Sequence, residues 1–180
     1  MNRYVALLRG INVGGNSKIE MKTLKALVEK LGFQQVSTYI NSGNVLFISD
    51  LDPKVIREML ESEIKVHFGI MLSVMIRDAQ NIDELCTAFP KSWTNDDDQK
   101  TDILFLSEDY DHPEILNLIS HDPRIDTLIY VKGAIGWNVS RSDYPKSGMH
   151  KFIGTPVYKN MTARNINTLR KLNDLLKVMK

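Results

Sequence analysis

Over the first 77 residues the hydrophobic pattern switches from short apolar runs to helical spacing and back, and this alternation limits the fold more than any other feature. Arg3 to Arg9 is a short apolar run ended by glycines, and Ile19, Met21, Leu24, Leu27, Val28 and Leu31 then recur at helical spacing up to Gly32. Gln34 to Asn41 and Asn44 to Ser49 are rich in β-formers, and Ser42-Gly43 between them predicts a two-residue hairpin. Asp52 is a cap before Pro53, and Ile56, Met59, Leu60, Ile64 and Phe68 form an apolar stripe closed by Gly69. Ile70 to Arg77 is a mostly apolar strand. The order is βαββαβ, which is ferredoxin-like.

The rest of the chain nearly repeats it. A helix is predicted from about Asn81 to Phe89, capped by Asn81 with Glu84 three positions on. Asp102 to Ser107 reads as a strand, His112-Pro113 opens a short helix through Ile119, and Thr127 to Lys132 with Ile135 to Ser140 reads as a hairpin. Thr162 is expected to cap a last helix carrying Ile166, Leu169, Leu172 and Leu176. The expected class is α+β, a tandem duplication of ferredoxin-like units with antiparallel sheets, its halves spanning 1–77 and 78–180. Val5 to Leu8 and Val45 to Ile48 are apolar at successive positions, as in strands covered on both faces. That pattern argues against an open RNA-reading sheet.

A formal charge of +1 supplies no bulk field for gripping nucleic acid or a membrane surface, so neither is expected as a partner. Cys86 stands alone, which excludes an internal disulfide and a cysteine-rich metal site and suits a reducing cytosol. No stretch approaches the length of a membrane span, and the N-terminal apolar run is too short for a signal-peptide core. The histidines lack metal-ligand spacing. Asp96, Asp97 and Asp98 lack the alternating ligands of a calcium loop and read as a solvated run. No metal and no cofactor is expected.

The segment from Arg9 to Lys18 leaves a strand and enters a helix as a phosphate-cradling loop would. Gly10 and Gly15 match the start of a P-loop, but that motif needs Lys and then Ser/Thr, and Asn16 stands in the Lys position ahead of Ser17. Ser17 with Glu20 predicts a capping box, which would put a carboxylate near the incoming ligand. In a βαββαβ unit the end of the first strand and the turn between the second and third lie on one edge. Arg9, Asn12, Asn16 and Lys18 are therefore expected beside Asn41, Ser42 and Asn44, a set suited to an anionic or polar ligand. The same residues also read as a glycine-rich turn and an Asn-Ser-Gly-Asn turn satisfied by its own side chains.

Leu7-Leu8-Arg9-Gly10-Ile11-Asn12-Val13-Gly14-Gly15, followed by Thr38-Tyr39-Ile40-Asn41-Ser42-Gly43-Asn44-Val45, resembles the bacterial family called domain of unknown function 1697. A third segment of the resemblance is Thr162-Ala163-Arg164-Asn165, then Asn167-Thr168 and Lys171-Leu172, with Ile166 where the family commonly has an aromatic. The resemblance implies a tandem ferredoxin-like fold and a cytosolic location, and implies no activity, substrate or cofactor.

The function expected on these grounds is a binding or regulatory module for an anionic or phosphorylated ligand, held by Arg9, Asn12, Asn16, Ser42, Asn44 and Arg164. Arg164 reads either as a partner for a carboxylate or as a contact for a ligand anion. The alternatives are an enzyme of unknown class using the same cleft, and a protein-interaction scaffold with no small-molecule ligand. Ser147, His150 and Asp143 supply triad residue types without a nucleophile-elbow signature. The oligomeric state is not legible in the residues.

Overall fold

The computed structural model describes residues 1–14 and 17–180, which form two compact units: 1–80 with 172–180, and 81–171. In the first unit, β1 (Asn2–Leu8), α1 (Met21–Lys30), β2 (Gln34–Tyr39), β3 (Asn44–Ser49), α2 (Pro53–Phe68) and β4 (Val74–Asp78) follow in the expected order. Their sheet runs β2-β3-β1-β4, with antiparallel neighbours throughout. Ala6, Leu8, Val45, Phe47, Val74 and Ile76 on one sheet face meet Leu24, Leu27 and Val28 of α1 and Ile56, Leu60 and Ile64 of α2 in one core. Each helix presents the stripe that its 3.6-residue spacing predicts, and burial of that stripe supplies most of its stability.

The ends of α2 follow from local chemistry. Asp52 accepts a hydrogen bond from the Lys54 N–H at 2.8 Å, Pro53 takes the first helical position, and Gly69 closes the helix at φ +68°. β4 begins at Val74, not Ile70. The Val74 N–H donates to the Glu61 carboxylate at 2.8 Å, which ties the strand's first residue to α2 and leaves residues 70–73 as a connection.

β2 is an edge strand and it is bulged. Its register to β3 shifts between Gln34 and Ser37, with Gln35 at φ +50°. The Gln35 amide pairs reciprocally with the backbone of Lys180, donating to its carbonyl and accepting its N–H. In the same unit the Arg3 guanidinium donates to the Leu176 carbonyl at 2.9 Å.

The second unit contains most of α3 (Ala79–Ala88), then β5 (Gln99–Leu106), β6 (Thr127–Val131), β7 (Ala134–Ser140), α4 (Met149–Phe152), β8 (Met161–Asn165) and the start of α5 (Ile166–Val178). Its sheet order, β6-β7-β5-β8, repeats that of the first unit strand for strand. The protein is an α+β tandem of ferredoxin-like units. The helical layer is reduced: a 3-10 helix at Pro113–Leu118 stands in the first helix position, and α4 with a second 3-10 turn at Tyr158–Asn160 in the other. Ile115, Met149 and Phe152 from these pieces pack on Leu104, Leu106, Ile135 and Trp137.

Three local expectations are corrected. Thr162 does not cap the last helix: residues 161–165 form β8, paired to β5 from Asp102↔Asn165 to Leu106↔Met161, and the Asn165 side chain accepts from the Thr168 N–H at 2.9 Å. The segment is a strand because its backbone pairs along β5, with Met161, Thr162 and Arg164 buried and Ala163 and Asn165 half-buried. Asn81 lies inside α3 and donates to the Lys132 carbonyl at 2.8 Å, because the helix already starts at Ala79. Ser17 and Glu20 form no capping box, since Ser17 sits at φ +52° outside the helix and the Glu20 carboxylate accepts from the Thr23 hydroxyl at 2.6 Å.

Among the described residues no helix is long and apolar enough to cross a membrane.

Candidate functional site

The end of β1 and the β2–β3 connection meet. The Leu8 N–H donates to the Gly43 carbonyl at 2.8 Å and the Arg9 N–H to the Ser73 carbonyl at 3.0 Å, so the chain leaves the sheet anchored on both sides. The connection is a four-residue loop, Ile40 to Gly43, closed by the pair Tyr39↔Asn44, rather than the two-residue turn predicted at Ser42-Gly43. Its geometry requires Gly43, which sits at φ +79° where a Cβ would lie 2.9 Å from Ile11 and Leu8.

Asn12 joins the two loops. Its Nδ2 donates to the Ile19 carbonyl at 2.9 Å and to the Asn41 carbonyl at 2.8 Å, while its Oδ1 accepts from the Ile19 N–H at 2.9 Å. The backbone N–H of Asn12, at φ +55°, donates to the Ser17 carbonyl at 3.2 Å. Asparagine tolerates this left-handed conformation better than most residues. Asn44 plays the matching role within its own loop, fully buried and donating from Nδ2 to the Tyr39 carbonyl and the Ser42 hydroxyl, both at 3.0 Å.

Between these loops lies a cleft of about 520 Å³ lined by Asn12, Lys18, Ile19, Glu20, Met21 and Asn41. The volume is that of a small-molecule site. Lys18, Glu20 and Asn41 are exposed, Met21 is half-buried and Ile19 is buried. Lys18 makes no ion pair among the described residues. The cleft therefore offers an ammonium, a carboxylate and an amide over an apolar floor.

The residues expected from the sequence divide. Asn12 lines the cleft but directs its amide into the protein. Ser42 and Asn44 brace the loop from behind, and Arg9, half-buried, lies at the end of β1 outside the lining. Asn16 lies outside the described residues. Arg164 belongs to β8 of the second unit and is 8% exposed; its guanidinium donates to the Thr162 hydroxyl at 3.0 Å and the Ala163 carbonyl at 2.8 Å. Burial brings its pKa down to about 10, and the nearby Tyr158 opposes the shift. Ile19, Glu20 and Met21 escaped sequence reasoning because a capping box and a helical stripe already accounted for them.

Ser147, His150 and Asp143 do not assemble. The Ser147 hydroxyl donates to Asp126 at 2.5 Å, Asp143 accepts from Ser140 at 2.9 Å, and the His150 ring lies 4.3 Å from that of Tyr144. Asp126 is buried and also accepts from Trp137 Nε1 at 2.9 Å, the Gly148 N–H at 3.0 Å and the Asp122 N–H at 3.1 Å. Burial pushes its pKa up, and the four hydrogen bonds together outweigh burial and hold it below the ordinary value. No group of three His, Cys, Asp or Glu side chains suited to a metal ion occurs among the described residues.

A solved structure of a conserved bacterial protein from Streptococcus pneumoniae is similar to the chain at 31% identity and a TM-score of 0.85, covering 97% of this chain and 98% of that one. No curated protein matches. Residues 1–135, which contain both loops of the cleft, match the model of the protein family of unknown function DUF1697, and the chain belongs to that family.

Proposed function

We propose that the protein is a binding or regulatory module for a small molecule with an anionic or phosphorylated group, held at the edge formed by the 9–18 and 41–44 loops. The observation that carries this reading is the cleft of about 520 Å³ on that edge, with the Lys18 ammonium on its wall. Lys18 and Glu20 are the lining residues able to transfer a proton, and an enzyme of unknown class using the same cleft is the alternative. The reading takes the protein to be cytosolic, in keeping with a single cysteine, Cys86, that has no second cysteine to pair with.

The test is a thermal-shift screen of the wild type and Lys18→Ala against inorganic phosphate, sugar phosphates, nucleotides and simple carboxylates. Lys18 is exposed, so its loss leaves the fold in place. A ligand at a hundred times its Kd adds about 2.7 kcal/mol, which raises Tm by roughly 5–11 °C for a chain of this size. That shift is expected in the wild type and not in the variant. If no anion shifts the wild type, the reading is wrong.

One observation favours a scaffold instead: the amides of Asn12 and Asn44 are bonded to protein atoms. On that reading Asn12→Ala lowers Tm and no ligand is found.

A further inference from the structure

Each sheet has two outer strands, and three of these four are poorly suited to pairing with a further strand. β2 is bulged. β4 and β8 each carry an arginine whose guanidinium donates to the carbonyl of the residue before it, Arg77 to Ile76 at 2.9 Å and Arg164 to Ala163 at 2.8 Å. A charge on the strand and a carbonyl already occupied both discourage a neighbour. β6 has none of these devices. Its sequence, Thr-Leu-Ile-Tyr-Val, holds no charge and no proline, and its register to β7 is unbroken from Thr127 to Val131. Among the described residues no side chain bonds to its backbone.

The strand also shows apolar surface on both faces. Leu128, Ile129, Tyr130 and Val131 are all half-buried, and alternate residues point to opposite sides. Leu128 and Tyr130 pack on the core of the second unit with Leu116 of the 3-10 helix Pro113–Leu118, and Leu118 at the end of that helix is 55% exposed.

β6 complements itself. Antiparallel pairing about a two-fold axis at Ile129 sets Ile129 against the partner's Ile129, Leu128 against the partner's Tyr130 and Thr127 against the partner's Val131. Such aromatic and β-branched pairs stabilise a sheet. Just beyond the strand, Lys132 meets the partner's Asp126, an opposite charge. An axis at Leu128 would instead set Lys132 against the partner's Arg124, and an axis at Tyr130 would set it against the partner's Leu128. The charges favour the one register that pairs the whole strand.

We infer that β6 is an interface between two copies of the chain, which joins their four-stranded sheets into one.

The experiment is sedimentation of the full chain and of Ile129→Lys over a concentration series, with oxidation of Ile129→Cys and Val131→Cys in a Cys86→Ser background. The wild type should reach twice the mass of one chain. Ile129→Lys sets two ammonium groups against each other at the axis and should weaken association about tenfold or more. Ile129→Cys should form an intermolecular disulfide, its two Cβ atoms facing at about 4.5–5.5 Å. Val131→Cys should not, because its counterpart lies four residues along the partner strand, more than about 13 Å away. A wild type that stays monomeric throughout overturns the inference. So does a dimer that Ile129→Lys leaves intact, or one in which Val131→Cys cross-links as readily as Ile129→Cys. If the lysine variant does not fold, the two cysteine variants still decide between these outcomes.

Discussion

A methyl group at Gly43 would stand 2.9 Å from Leu8 and Ile11 on a backbone already at φ +79°. Strain and overlap act together there, so Gly43→Ala should cost about 2–4 kcal/mol, read as a lower midpoint in urea. Asp126 makes the complementary case for a charge. With its pKa held below the usual carboxylate value, it contributes stability that is complete above the unfolded pKa and is lost as pH falls through the folded one. Asp126→Asn substitutes a donor where Trp137, Ser147, Gly148 and Asp122 all donate, at a cost of about 2–3 kcal/mol. Wild type should therefore lose stability below about pH 4, while the already weaker variant should lose less over that interval. Denaturant midpoints measured across the acid range check both.

At the scale of elements, the order of strands and helices in the first unit was legible because apolar runs and helical stripes alternate along it, with the strongest end signals, Asp52-Pro53 and Gly69, around α2. β8 was not. Its segment has one charge, Arg164, buried where a sequence reading puts cations on a surface, and its Thr162 imitates a helix cap. The cap is Asn165, so Asn165→Ala should cost about 1 kcal/mol, measurable as a shift in denaturant midpoint. The site was half legible for a related reason. Strand order predicts that the two loops meet, and Asn12 joins them, but which polar side chains bond inward depends on distances that spacing does not encode. Gly136 carries a similar hidden constraint: a Cβ there would lie 2.7 Å from the rings of Phe89 and Trp93, which is why a central strand tolerates a glycine.

At the scale of the molecule, the units share one strand order and differ in their helices. Ten- and sixteen-residue helices cover the first sheet's core face, whereas 3-10 turns and the four-residue α4 occupy the corresponding positions in the second unit. Short 3-10 pieces have poorer hydrogen-bond geometry and open more readily. Amide hydrogen exchange should be faster at 113–118 and 149–160 than in α1 and α2, while β5 and β7 remain protected. The bulge in β2 bears on a different property, behaviour at high concentration. A straight edge strand recruits strands from other molecules, and Gln35, turned to φ +50° and paired with Lys180, breaks the regular row of donors and acceptors on which such recruitment depends. Straightening β2 by deleting Gln35 would give the first sheet an edge open to fibril growth.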